Sequence, residues 1–65
     1  MKKLTLGQKV KVIRKELGWD QITLAYKAGV SLGTIWRIEG DKGKPYNQTI
    51  KAIAAALKVK PQELV

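Results

Sequence analysis

The sequence predicts an all-α fold of five short helices, forming one domain over residues 1–65. Three observations predict it. Apolar residues recur at helical spacing along the chain. Residues that start or stop helices bound each segment. No stretch of useful length alternates with the two-residue period of a strand. The chain shows no internal repeat and no low-complexity region.

The first helix is expected over about Leu6–Leu17, where Leu6, Val10, Ile13 and Leu17 fall on one stripe. Thr5 and Gln8 have the spacing of a capping box, and Gly18 suits a left-handed stop. The second helix takes Asp20 as N-cap and runs to about Ala28. Ile22, Leu24, Ala25 and Ala28 are its apolar positions, and Gly29 closes it. The third begins at Ser31 as N-cap and continues to Ile38, with Gly40 as the stop. Asp41–Tyr46 is a loop by composition, carrying two lysines and a tyrosine beside Pro45. Asn47 caps a fourth helix to about Leu57, with Ile50, Ile53, Ala54 and Leu57 at helical spacing. Its Ala54-Ala55-Ala56 run suits close approach of a neighbour. Pro61 fits the first position of a very short fifth helix ending in Leu64 and Val65.

Composition narrows the function. There is no cysteine and no histidine, which removes disulfides, thiolate zinc sites and the usual general base. The five carboxylates do not cluster, so neither a metal nor a cofactor is expected, and no nucleophile or acid–base constellation points to an enzyme. Thirteen Lys and Arg against five Asp and Glu give a formal charge of +8 and a pI of about 10.1. That balance favours a polyanionic partner, although a plain lysine-rich surface would show the same excess. No apolar run approaches the roughly 20 residues of a membrane span, and the N-terminus lacks the apolar core of a signal peptide. A cytoplasmic protein is expected, with no membrane partner and no small-molecule substrate.

The most informative stretch is Gln21–Glu39. At about 100° per residue, Ser31, Ile35 and Ile38 cluster on one side of the third helix, its expected buried face. Leu32, Gly33, Trp36 and Arg37 occupy the opposite arc. A solvated arc would carry charges, so adjacent Leu and Trp there call for a partner. Gly29 reverses the chain, Val30 turns inward, and Ser31 restarts a helix at once. This is a helix-turn-helix arrangement, although many helical hairpins share its spacing.

The sequence resembles the Cro/CI-type (XRE-type) helix-turn-helix domains of phage and bacterial repressors. The resemblance rests on Arg14, Leu17-Gly18, Gln21, Leu24-Ala25, Gly29-Val30-Ser31, Thr34-Ile35, Arg37-Ile38-Glu39-Gly40, Pro45, and the Leu57, Val59 and Leu64 end. It covers nearly the whole chain. Two departures stand out. Gly40 directly follows Glu39, where the family often places one residue between. Leu32-Gly33 stand where Gln, Ser, Arg or Asn are common.

The resemblance implies a five-helix lambda-repressor-like bundle and sequence-specific binding of double-stranded DNA. The third helix would enter the major groove. Arg37 is the leading base-reading candidate, with phosphate contact as its alternative. Leu32 can pack on a thymine methyl. Gly33 implies either close approach to DNA or a position without side-chain information. Thr34 can reach a phosphate or a base. Ser31 is mainly a cap with a secondary DNA contact. Trp36 either lies against the sugar-phosphate wall or a thymine methyl, or folds back onto helix two or the following loop. Gln21 is implied to touch a phosphate and to brace the recognition helix. Lys42, Lys44, Tyr46, Asn47 and Gln48 are implied to form a second patch on the phosphate backbone. Arg14 and Glu39 are implied to pair and to orient the reading helix. Lys2, Lys3, Lys9, Lys11 and Lys15 add long-range attraction or are simply solvated, and Trp19 covers the core edge.

A repressor binding a palindromic operator as a homodimer is the expected activity, with Leu57, Val59, Leu64 and Val65 as the dimer surface. A protein-interaction module, such as an antitoxin or anti-repressor, would leave the basic loop idle and use Leu32 and Trp36 as anchors. A single-stranded nucleic-acid binder would stack bases on Trp36 and Tyr46.

Overall fold

In the computed structural model, which describes residues 3–65, five helices follow one another: α1 (Leu6–Glu16), α2 (Gln21–Ala28), α3 (Leu32–Glu39), α4 (Asn47–Leu57) and α5 (Pro61–Leu64). No strand occurs among the described residues. Met1 and Lys2 lie outside them, and with Lys2 part of the basic N-terminal group.

Local hydrogen bonds start the first three helices. Thr5 Oγ1 accepts from Gln8 N–H at 3.1 Å and Gln8 Oε1 accepts from Thr5 N–H at 2.9 Å, a complete capping box. Asp20 accepts from Thr23 N–H at 2.7 Å. Hydrogen bonds from Thr23, side chain first and then backbone, hold the Asp20 carboxyl below its ordinary range. Ser31 accepts from Thr34 N–H at 3.1 Å. The fourth helix differs. Its N-cap is Tyr46, not Asn47, and no side chain caps it. The chain is still extended at Tyr46, so Asn47 is already the first helical residue.

The principal helix contacts form a ring. α1 packs on α3, α3 on α2, α2 on α4, α4 on α5, and α5 back on α1. Inside lie Val10, Leu24, Ala25, Ile35, Ile38, Ile53, Ala54, Leu57 and Leu64. All five helices therefore contribute to one core. Full burial of each large side chain stabilises the fold by about 1.5–3 kcal/mol.

Several expectations are corrected by this packing. The buried lane of α1 is Gly7, Val10 and Arg14, while Leu17 is exposed just beyond the helix. Glycine allows α1 to approach α3: a Cβ on Gly7 would collide with the Ile38 carbonyl. Ile22 is 65% exposed, because it sits about 200° around the helix from Leu24. Ser31 is exposed, since a capping residue stands outside the first turn. Gly40 is not left-handed, with φ −89°; Asp41, with φ 54°, takes that conformation. Leu57 and Leu64 are buried in the core of their own chain and cannot face a second copy. Of that expected dimer surface, Val65 is exposed and Val59 half-buried.

Candidate nucleic-acid interface

Gly29 sets the angle between α2 and α3. It adopts φ 70°, and Val30 N–H donates back to the Ala25 carbonyl at 3.0 Å. Left-handed backbone is natural for glycine and lets the chain reverse within two residues. Val30 then packs against the core and Ser31 caps α3.

The far end of α3 is fixed by an ion pair. Arg14 Nε and Nη2 donate to Glu39 Oε2 and Oε1 at 2.6 and 2.9 Å. The third arm, Nη1, donates to the Trp19 carbonyl at 2.8 Å. Only 7% of the Arg14 side chain and 5% of the Glu39 side chain remain exposed. Hydrogen bonding to Glu39 raises the Arg14 pKa against an opposing desolvation, so the guanidinium stays charged. The fork shape matters, since one ammonium could not span all three acceptors. Gln21 Nε2 adds a bond to Glu39 Oε1 at 3.2 Å. Gln21 therefore braces the end of α3 from the first turn of α2.

With both ends fixed, α3 buries Ile35 and Ile38 and presents Gly33, Trp36 and Arg37 outward. Leu32 and Thr34 flank that face and are half-buried. Trp36 is 57% exposed, so more than half of this large side chain is open to a partner. The Thr34 hydroxyl lies 2.9 Å from the Ser31 hydroxyl, which ties it to the cap. A Cβ on Gly33 would meet only Ser31 Oγ, at 3.9 Å. Nothing among the described residues requires glycine there.

Arg37 and Thr34 line a pocket of about 290 Å³ together with Lys42, Lys44, Tyr46 and Thr49. Its lining contains three cationic side chains and no carboxylate. Asn47 and Gln48 lie beside it on the exposed start of α4 and do not line it. Thr49 belongs to the pocket although it is not among the residues that the sequence singles out. A signal for it exists, because position 49 lies one helical turn beyond Tyr46. The first-turn N–H groups of α4, without a side-chain cap, can serve an outside acceptor. The remaining sequence candidates sit elsewhere: Lys3, Lys11 and Lys15 are exposed, Lys9 is half-buried, and Trp19 packs on the core edge under Lys27 Nζ, 5.1 Å from its ring centroid.

The acidic residues are occupied elsewhere. Asp20, Glu39, Asp41 and Glu63 all accept hydrogen bonds from the chain itself, leaving Glu16 as an exposed carboxylate on α1. The face around α3 thus offers cations, hydroxyls and an exposed aromatic ring. Chemically it can bind a polyanion and lay a helix against it.

Comparison with known proteins agrees with this geometry. A helix-turn-helix family model matches residues 10–64. The immunity repressor protein of Bacillus phage phi105 is 39% identical over 62 residues, which is 95% of this chain and 43% of the phage protein. The chain thus spans less than half the length of that relative. The P22 c2 repressor, solved in complex with a synthetic operator, is 27% identical with a TM-score of 0.89, covering 97% of this chain and 96% of that one. The N-terminal DNA-binding domain of SinR from Bacillus subtilis is 35% identical with a TM-score of 0.86, covering 91% and 87%. Fold, capped α3 and sequence match agree, and the chain belongs to the XRE-type helix-turn-helix family.

Proposed function

We propose that this protein binds double-stranded DNA sequence-specifically and represses transcription from the sites it occupies. The observation that carries the reading is the face built around α3. A helix held at both ends by internal bonds turns Gly33, Trp36 and Arg37 outward beside a cationic pocket without acid. The major groove admits a helix of this size and exposes a distinct pattern at each base pair. Arg37 reads a guanine, and Leu32 and Trp36 supply apolar contact to thymine methyls or the groove wall. Gly33 lets the helix approach closely. Lys42, Lys44, Tyr46, Thr49 and the uncapped start of α4 hold the phosphate backbone, with Asn47, Gln48 and Ser31 alongside. Gln21 acts mainly by bracing Glu39.

The protein acts in the cytoplasm, by occupancy and without catalysis, metal or cofactor. Two copies on a palindromic operator would place their α3 helices in successive major grooves, roughly 34–36 Å apart. The second copy meets the exposed margin near Val59 and Val65, since Leu57 and Leu64 are committed to the core. Selection of bound duplexes from a random pool is the test. An inverted repeat should emerge, and Arg37→Ala should relax one guanine position by about 1–3 kcal/mol of discrimination. Enrichment of no sequence at all would contradict specific readout.

A further inference from the structure

The turn after α3 contains a left-handed residue that is not glycine. Lys42 N–H donates to the Arg37 carbonyl at 2.8 Å and Asp41 N–H to the Ile38 carbonyl at 3.1 Å. These two bonds are the Schellman ending of a helix, which places Asp41 where glycine is usual. Asp41 has φ 54°, a strained conformation for a side chain with a Cβ. The glycine of the sequence, Gly40, stands one position too early to relieve it.

The Asp41 carboxylate spans the fold from this position. Its Oδ2 accepts from the Thr5 hydroxyl at 2.6 Å, and its Oδ1 accepts from Gly7 N–H at 3.0 Å. Thr5 Oγ1 in turn accepts from Gln8 N–H. One carboxylate therefore closes the N-terminus of α1 and fixes the first residue after α3. Gly7 permits the fit, because a Cβ there would lie 2.8 Å from Asp41 Oδ1. Lys58 offers a contrast. It is also left-handed, with φ 60°, and ends α4 without any comparable clamp among the described residues. Lys42 follows Asp41 directly, Lys44 comes after Gly43, and both line the cationic pocket with Arg37.

We propose that Asp41 is a positioning residue for DNA binding. By tying the start of the α3–α4 loop to α1, its carboxylate sets Lys42 and Lys44 against the phosphate backbone. This assignment rests on the duplex-binding reading above. Asp41→Gly removes the clamp and also relieves the strained backbone, so the fold keeps its turn while the loop is freed from its anchor. Asp41→Asn retains an acceptor for Gly7 N–H and a hydrogen-bonding partner for Thr5. Lys58→Gly relieves the same type of strain where no clamp exists.

The test is titration of a random-sequence duplex at several salt concentrations, well below each variant's melting temperature. Asp41→Gly should bind roughly three- to tenfold more weakly, and its log K against log salt should flatten by about one to two, near 0.9 for each phosphate no longer neutralised. Asp41→Asn and Lys58→Gly should both stay within about twofold of the unaltered protein and keep its slope. A folded Asp41→Gly with unaltered affinity and slope overturns the assignment. If Asp41→Gly melts below the assay temperature, Thr5→Val, which cuts the hydroxyl arm together with the α1 cap bond and leaves the Gly7 arm in place, is titrated instead, again below its own melting temperature. A flattened slope then supports the clamp and an unchanged slope overturns it. Failure of the unaltered protein to bind duplex at low salt overturns the DNA-binding reading itself. Binding by the unaltered protein and by Asp41→Gly alike overturns the Asp41 assignment alone.

Discussion

Arg14 and Glu39 sit where charge is costly, and their value depends on staying together. Both side chains are almost fully buried, and the guanidinium has a partner for each arm it turns inward. Removing one partner strands the other. Glu39→Ala should therefore destabilise the fold by about 3–5 kcal/mol, measured by thermal or denaturant unfolding. In a domain this small each kcal/mol lowers the melting temperature by about 4–8 °C, so the effect is easily seen. Gly33 makes the opposite kind of prediction. Its surroundings leave room for a methyl group, so Gly33→Ala should stabilise α3 by up to about 1 kcal/mol. The same methyl group should weaken duplex binding, because it stands on the exposed face that the proposed function lays in the groove. A variant that is both more stable and tighter on DNA would show that close approach at Gly33 is not used.

Among the elements, the starts of α1, α2 and α3 depend on contacts three residues apart, which is why Thr5, Asp20 and Ser31 are legible as caps. The start of α4 reads one residue late, because Asn47 has the chemistry of a cap while the extended backbone falls on Tyr46. The Asp20 cap carries a pH signature. Its carboxyl pKa is lowered in the folded state, so its contribution is fully present above the unfolded value of about 4 and is lost as pH falls through the folded value. Unfolding followed from neutral to acid pH should show the unaltered protein losing its advantage over Asp20→Asn only in that acidic window. Contacts between distant segments are not legible. Asp41 reads as a loop residue because its partners, Thr5 and Gly7, lie 36 and 34 residues away. Arg14 finds its place only through family resemblance, since periodicity assigns α1 an apolar stripe and passes over its buried glycine and arginine. Leu57 and Leu64 show the same limit from the other side. Helical spacing identifies an apolar face but not what covers it, and here α5 folds back on α4 and α1.

For the whole molecule, the decisive feature is the separation of charge by task. Four of the five acidic residues bond to the chain itself, at helix ends or with Arg14. The cations around α3 and its following loop face outward without acidic neighbours in the pocket they line. A surface of this kind draws in a polyanion and releases its counterions on contact. Fluorescence titration of a labelled duplex across a salt series tests this most directly, with the Lys42→Ala, Lys44→Ala double variant alongside. Binding should weaken linearly in log salt, and the double variant should flatten the slope by about two, near 0.9 for each phosphate left without its lysine. A protein that ignores duplex DNA at low salt, or a double variant with unaltered slope, would contradict DNA binding through this face.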